Sequence, residues 1–318
     1  MSFLQSMKYL VISGGGANSI QEIGALVVLN YYFDIVFKTT ITQQMVGFGG
    51  TSAGAAIAFL LNIGCTIHEI IDFWFSIYRI INDQQWSILN LYENGGVLGD
   101  SVIFQIKYKV QNILKGKFNI QNISFEQLYN LTGKELYICA SRFTDNNLKG
   151  FHYKSTPTVD VTQAILASCC LPFLFSPISI DDELYYDGGV SMNFPVGFYP
   201  LDQTLGLWMI TRSDIACKRK SNWKHTTNYI LQSLLHSQDD IIQHLTVQYH
   251  RKQFIKFPTR CTPTNILHLS DMQKYRLFIT GAFLTIAHLF VHSDSNHIKL
   301  VLPIIMIYIF ATTFYEPS

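Results

Sequence analysis

Charge is scarce in this chain. Only 14% of its 318 residues are Asp, Glu, Lys or Arg, against about 25% in an ordinary globular domain. The 23 basic and 22 acidic residues leave a net charge of +1. A nucleic-acid binder of this size carries a basic excess, so nucleic acid is excluded as a partner. Cys-x-x-Cys pairs are also missing. The six cysteines are Cys65, Cys139, Cys169, Cys170, Cys217 and Cys261, and their spacing excludes a zinc ribbon or a dithiol redox site. No metal and no cofactor is expected. The first apolar stretch, 9–12, is far shorter than a secretory signal core and runs into glycines. The expectation is an intracellular protein with reduced thiols, in which the sequons at Asn122 and Asn130 are chance. Internal repeats and low-complexity linkers are lacking too. Apolar residues, in contrast, are plentiful at 48%, enough for a large core with some left for a lipid surface or an anchor.

The first 64 residues read strand (8–13), glycine loop, helix (20–33), strand (45–48), tight turn and helix (55–63), the opening of an α/β sheet with crossover helices. An apolar, aromatic helix follows at 67–81. It reads as core first and as the wall of an acyl channel second. A loop spans 94–99, and Asp100 can cap a helix to about residue 114. Ser124 and Gln127 make a capping box. Strands are expected at 135–141 and 148–153 around a turn at 145–147, then a helix from Asp160 to 167, a strand at 184–186 and a last strand at 205–210. From Arg212 the pattern turns helical, with helices at 226–235, 239–249 and 272–290.

Three motifs carry chemistry. Gly50-Thr51-Ser52-Ala53-Gly54 is a G-x-S-x-G between a strand and an Ala-rich helix. That pattern puts a serine on a sharp turn, its hydroxyl exposed at the positive end of the following helix. Gly14-Gly15-Gly16 can bring backbone N–H groups close to a developing oxyanion. It does not fit a dinucleotide fingerprint, because Ser19 stands where the third glycine belongs, and it has no P-loop lysine. Asp187-Gly188-Gly189 follows an apolar strand and, taken alone, is ordinary turn chemistry. A serine hydroxyl needs a base. The histidines, among them His68, His152, His225, His236 and His244, sit in no recognisable motif, and a carboxylate within hydrogen-bond reach can do the same work.

Taken in order, Gly14-Gly15-Gly16, Gly50-x-Ser52-x-Gly54 and Asp187-Gly188-Gly189 resemble the patatin-like phospholipase family. Ile23-Gly24-Ala25-Leu26 and the Ala167–Pro172 segment (ASCCLP) add to the likeness, which covers about 8–210. The resemblance implies a three-layer α/β/α sandwich and a Ser–Asp dyad without histidine or metal. Carried over, Ser52 is the nucleophile and Asp187 the base. Gly14, Gly15, Gly16 and the Ala53 amide form the oxyanion hole, Gly50 and Gly54 shape the elbow, and Gly188 and Gly189 shape the base turn. The family pattern Gly-Gly-Gly-x-Arg/Lys-Gly is broken here by Asn18 and Ser19, which removes a positive charge and a glycine. The implied partner is a lipid at a membrane or lipid-droplet surface.

Three regions are therefore expected. Residues 8–210 form the patatin-like domain, 211–293 a helical C-terminal extension packed on it, and 300–315 (LVLPIIMIYIFATTFY) an apolar segment. That segment is slightly short for a span of about 20 residues and reads equally as a membrane anchor or a docked helix. Two rivals stand beside the hydrolase: an α/β-hydrolase with a Ser-His-Asp triad, and a lipid-binding protein with weak or no turnover.

Overall fold

The computed structural model describes residues 3–83, 87–211, 251–259 and 269–293, with residue 303. Their elements run β1 (Tyr9–Ile12), α1 (Ile20–Tyr32), α2 (Ile41–Gln44), β2 (Gly47–Thr51), α3 (Ala53–Asn62), α4 (Ile67–Asn82), α5 (Ile88–Asn94), α6 (Asp100–Phe118) and α7 (Phe125–Thr132). After these come β3 (Glu135–Arg142), β4 (Leu148–Phe151), α8 (Val161–Cys169), β5 (Ile178–Ile180), β6 (Glu183–Asp187), β7 (Thr204–Thr211), β8 (Phe254–Thr259) and α9 (Asp271–His292).

The strands form one eight-stranded mixed sheet in the order β5-β6-β3-β2-β1-β7-β8, with β4 also paired to β3. β3, β2, β1, β7 and β8 are parallel, while β4, β5 and β6 pair antiparallel. Successive strand residues point to opposite faces. Leu10, Ile12, Phe48, Ile138, Leu207 and Phe257 point into the main core, where α1, α3, α8 and α9 cover the sheet. Val11, Tyr137, Cys139 and Trp208 point the other way and meet Phe194, Val196 and Tyr199. Among the described residues, that second face is covered by the 188–203 segment with its short 3-10 turns. The α/β sandwich expected from the sequence is the architecture found.

Several local expectations need correction. The region after 212 holds a strand as well as helix: β8 pairs parallel with β7, Gly206 opposite Phe254. Lys256 and Pro258 disguise it. Proline donates no ladder hydrogen bond and is tolerated on an edge strand, where β8 sits among the described residues. The sheet therefore continues past residue 210. β2 runs through its glycines to Thr51 instead of stopping at Phe48, because β1 and β3 hold it from both sides. Helix α5 has no counterpart in the sequence reading and ends where the expected 94–99 loop begins. Gly99, not Asp100, is the N-cap of α6. Phe73, Trp74 and Tyr78 of α4 are buried in the main core, in line with the first reading of that helix. The segments 226–235 and 239–249, and 300–315 apart from residue 303, lie outside the described residues.

One side of helix α9 packs on α1. Its Gly281 crosses α1 at Gln21, and Gly24 of α1 meets α9 at Phe278. A Cβ at either glycine would overlap the facing backbone carbonyl. Only glycine lets two helices approach this closely. The stretch Gly16–Phe37 and helix α9 are both apolar and long enough to cross a membrane, but 67% of the first is buried inside the protein, against 22% of the second.

Candidate active site

The two chemistry-bearing side chains are 135 residues apart in sequence, and β3 brings them together. Thr51, the last residue of β2, pairs with Cys139, and Asp187, the last residue of β6, pairs with the next residue, Ala140. β4 occupies the opposite edge of β3 along Ile138–Ser141, so β2 and β6 share one edge. β2 is parallel to β3 and β6 antiparallel, so their C-terminal ends meet there.

Ser52 follows directly, with φ +54° and ψ −128°. This is a strained conformation for a residue with a side chain, and such strain collects at functional turns. The turn is closed by close approach. A Cβ on Gly50 would overlap the backbone of Gly54, and one on Gly54 would overlap the Ile12 and Ser13 carbonyls. The Ser52 N–H donates to Ser168 Oγ at 2.8 Å. Its hydroxyl donates to Asp187 Oδ2 at 2.6 Å.

Asp187 is buried at 2% exposure and held on every side. Its Oδ1 accepts the Gly189 N–H at 2.7 Å. Its carbonyl accepts from Ser141 Oγ at 2.8 Å, and its own N–H donates to the Cys170 carbonyl at 2.9 Å. Gly188 lies against the Cys139 carbonyl with no room for a side chain. Burial pushes the Asp187 carboxyl up to about 6, while the hydrogen bonds from Ser52 and Gly189 pull it down. Near neutral pH it is therefore a carboxylate able to take a proton.

The glycine loop lies beside this pair. A Cβ on Gly14 would stand 3.2 Å from the Ser52 Cβ. The Gly14 N–H, however, donates to the Asn193 carbonyl at 2.9 Å, and Asn193 Nδ2 donates back to the Gly14 carbonyl at 3.1 Å. Gly14 therefore cannot lend its amide to an oxyanion, which corrects the four-residue set expected from the sequence. The Gly15 and Gly16 amides have no acceptor among the described residues. Ala53 opens α3, where the first amides have no intrahelical partner.

Sequence reasoning missed Asn193 and Ser141, and it quoted Ser168 within the Ala167–Pro172 segment without giving it a role. Each is a small polar residue inside an apolar stretch, and that anomaly was the available signal. Among the described residues, no histidine is hydrogen-bonded to either member of this pair. His152 Nε2 contacts Glu135 at 3.2 Å, and Glu135 opens β3 opposite Gly47, at the far end of the sheet from Ser52. His225, His236 and His244 lie outside the described residues.

The segments tied to the Cys170 loop carry an exposed apolar rim. Val97 and Leu98 donate backbone hydrogen bonds to the Phe173 and Leu174 carbonyls, and Ser87 donates to Val97. The loop carrying Phe173 also holds Cys170, the acceptor for Asp187. On this unit Leu89 is 64% exposed, Tyr92 88%, Phe104 71% and Phe173 43%.

Comparison with known proteins agrees with these observations. The patatin-like phospholipase profile matches residues 10–198. The chain is 30% identical over 206 residues to the uncharacterized protein R571 of Acanthamoeba polyphaga mimivirus, a match covering 63% of this chain and 65% of that protein. It is 29% identical over 194 residues to the probable lipid hydrolase 463L of Invertebrate iridescent virus 6, covering 59% and 62%. The match thus spans just under two thirds of each relative's length. Among solved structures, VipD from Legionella pneumophila shares the fold with a TM-score of 0.54 at 17% identity, over 90% of this chain and 67% of that one. With the profile match spanning more than half of its length, this chain belongs to the patatin-like phospholipase family.

Proposed function

We propose that this chain is a lipid acyl hydrolase of the phospholipase A or acylglycerol lipase type, acting in lipid breakdown through a Ser52–Asp187 dyad. The observation that carries the reading is the 2.6 Å hydrogen bond from a strained elbow serine to a buried carboxylate. Asp187 takes the Ser52 proton as Oγ attacks the ester carbonyl. The amides of Gly15, Gly16 and Ala53 hold the oxyanion. The alcohol or lysolipid leaves with the proton from Asp187. Water, deprotonated by Asp187 in turn, then attacks the acyl-enzyme, and Asp187 returns that proton to Ser52 Oγ as the fatty acid leaves.

A lipid substrate at a membrane or lipid-droplet surface is supported by three things: the family, the viral relative described as a probable lipid hydrolase, and the exposed rim of Leu89, Tyr92, Phe104 and Phe173. Aromatic side chains that are apolar in body suit a lipid–water boundary.

The test is labelling with a fluorophosphonate probe. The wild type is expected to be modified at Ser52 and to hydrolyse ester lipids, and Ser52→Ala is expected to do neither. An unlabelled wild type that still binds liposomes would favour the lipid-binding rival, for which Asn18 and Ser19 in the glycine loop argue. The rim has its own prediction. Replacing Tyr92 and Phe104 together with serine removes apolar area worth about 1 kcal/mol at each position on partial burial. Hydrolysis of vesicle lipid should then fall roughly tenfold or more relative to a soluble short-chain ester cleaved by the same variant. An unchanged ratio would remove the rim from lipid contact.

A further inference from the structure

Beneath the glycine loop lies a buried acid that the proposed mechanism does not use. Glu22 stands in the first turn of α1 with no exposure, and Ser13 and Ser19, which flank the loop, are equally buried. Ser13 Oγ donates to Glu22 Oε1 at 2.9 Å and accepts the Met209 N–H at 2.7 Å. The Ser13 N–H donates to the Leu207 carbonyl at 3.0 Å. One hydroxyl thus connects the start of the loop, strand β7 and the acid. On the other side of the loop, a Cβ on Gly15 would stand 2.6 Å from Ser19 Oγ. Ser19 therefore fills the space behind the residue whose amide faces the oxyanion.

Two atoms here are conspicuous. Ser19 Oγ and Glu22 Oε2 are both fully buried and have no partner among the described residues. Ser19 is also one of the two side chains that bear on the Glu22 carboxyl, and no charged group does. Orphaned buried polar atoms are costly, and a proton on Oε2 would make it a donor for which Ser19 Oγ, which bears on the same carboxyl, is the acceptor at hand.

We propose that Glu22 is a positioning residue for the oxyanion hole, clamping Ser13 and Ser19 from below so that the Gly15 and Gly16 amides keep their aim. The inference rests on the hydrolase reading above. Burial raises the Glu22 carboxyl to about 8, so at neutral pH it carries the proton that the clamp needs. Ser19 stands where the family pattern has glycine, so the clamp belongs to this chain's own departure from that pattern. Glu22 touches no reacting atom. Its effect is confined to where two amides point, and such an effect appears in the transition state more than in substrate binding.

The full chain with Glu22→Gln, Glu22→Ala and Ser19→Ala tests this on a soluble p-nitrophenyl ester, with a boronic acid as transition-state analogue. Glu22→Ala is expected to lower kcat by about 30-fold while KM moves less than about threefold, and boronate affinity falls in step with kcat. Glu22→Gln, which keeps a neutral donor and acceptor, should recover most of that loss. Ser19→Ala should lower kcat about fivefold, and Glu22→Gln added to it should cause little further change. If Glu22→Ala does not fold, the Ser19→Ala and Glu22→Gln pair decides the question. Unchanged kcat in Ser19→Ala, or a Glu22→Ala that lowers only the melting temperature, overturns the clamp. A wild type without Ser52-dependent turnover sinks the hydrolase reading itself and takes the clamp with it.

Discussion

Asp187→Asn leaves a folded protein whose kcat/KM towards esters is lower by on the order of 10⁴-fold, the scale expected when a serine loses its base. The amide can still accept from the Gly189 N–H and meet Ser52 Oγ, so the local geometry survives, but it cannot accept a proton. The wild type should lose activity as pH falls through about 6, tenfold per unit below it, because the dyad carboxylate then becomes protonated. Stability should move in the opposite sense. The folded-state pKa lies above the ordinary carboxylate value of 3.8, so the native protein binds more protons than the unfolded chain between those two points. That contribution favours folding at low pH and is lost as pH rises through about 6. Above pH 6 the wild type bears a buried charge that the amide variant lacks. The variant should therefore melt no lower than wild type at pH 7.5 and gain about 1–3 kcal/mol there, a gain that vanishes near pH 3.5. A variant keeping more than a tenth of the activity would remove Asp187 from the base role, and a sharp drop in melting temperature would make it a structural residue.

Gly281→Val is expected to have the largest effect on stability. The new side chain would enter the space of the Gln21 carbonyl of α1, and a helix backbone cannot give way as a side-chain tip can. The helices must part, with Ala282 and Leu289 leaving the main core. Overpacking of this kind, plus lost burial, costs roughly 3 kcal/mol or more, readable as a shift in the urea midpoint. Because α1 begins directly after the glycine loop, ester hydrolysis should fall at temperatures where the variant is still folded. An unchanged midpoint would show that α9 does not brace α1.

What could be read from the chain was mostly local. The alternation of strand, glycine loop and helix over the first 64 residues needs only neighbours in sequence to be recognised. So do the capping box at Ser124 and Gln127 and the Asp160 cap, which the structure has as read. What could not be read depends on distant partners. β8 is a strand because β7 lies beside it, and nothing within Phe254–Thr259 announces that. Gly49 and Gly50 are poor strand formers, yet two flanking strands hold them extended. At the candidate site, Ser52 and Asp187 could be named from their motifs, but the sharing of one edge of β3 could not. Nor could Asn193, which occupies the Gly14 amide and thereby narrows the oxyanion set. Glu22 gives no signal of its own, because an acid near the start of a helix is usually a solvated one.

The end-to-end meeting of β2 and β6 on β3 has a consequence for how this protein tolerates change. Consecutive strand residues are about 3.3 Å apart, so the separation of hydroxyl and carboxyl is ruled off by a single peptide step on a third strand, and the intervening loops have no say in it. Exposed chain between α6 and α7, at 119–122, can be lengthened while that ruler stays fixed. A change in such a loop would therefore leave the distance between the Ser52 hydroxyl and the Asp187 carboxyl as it is.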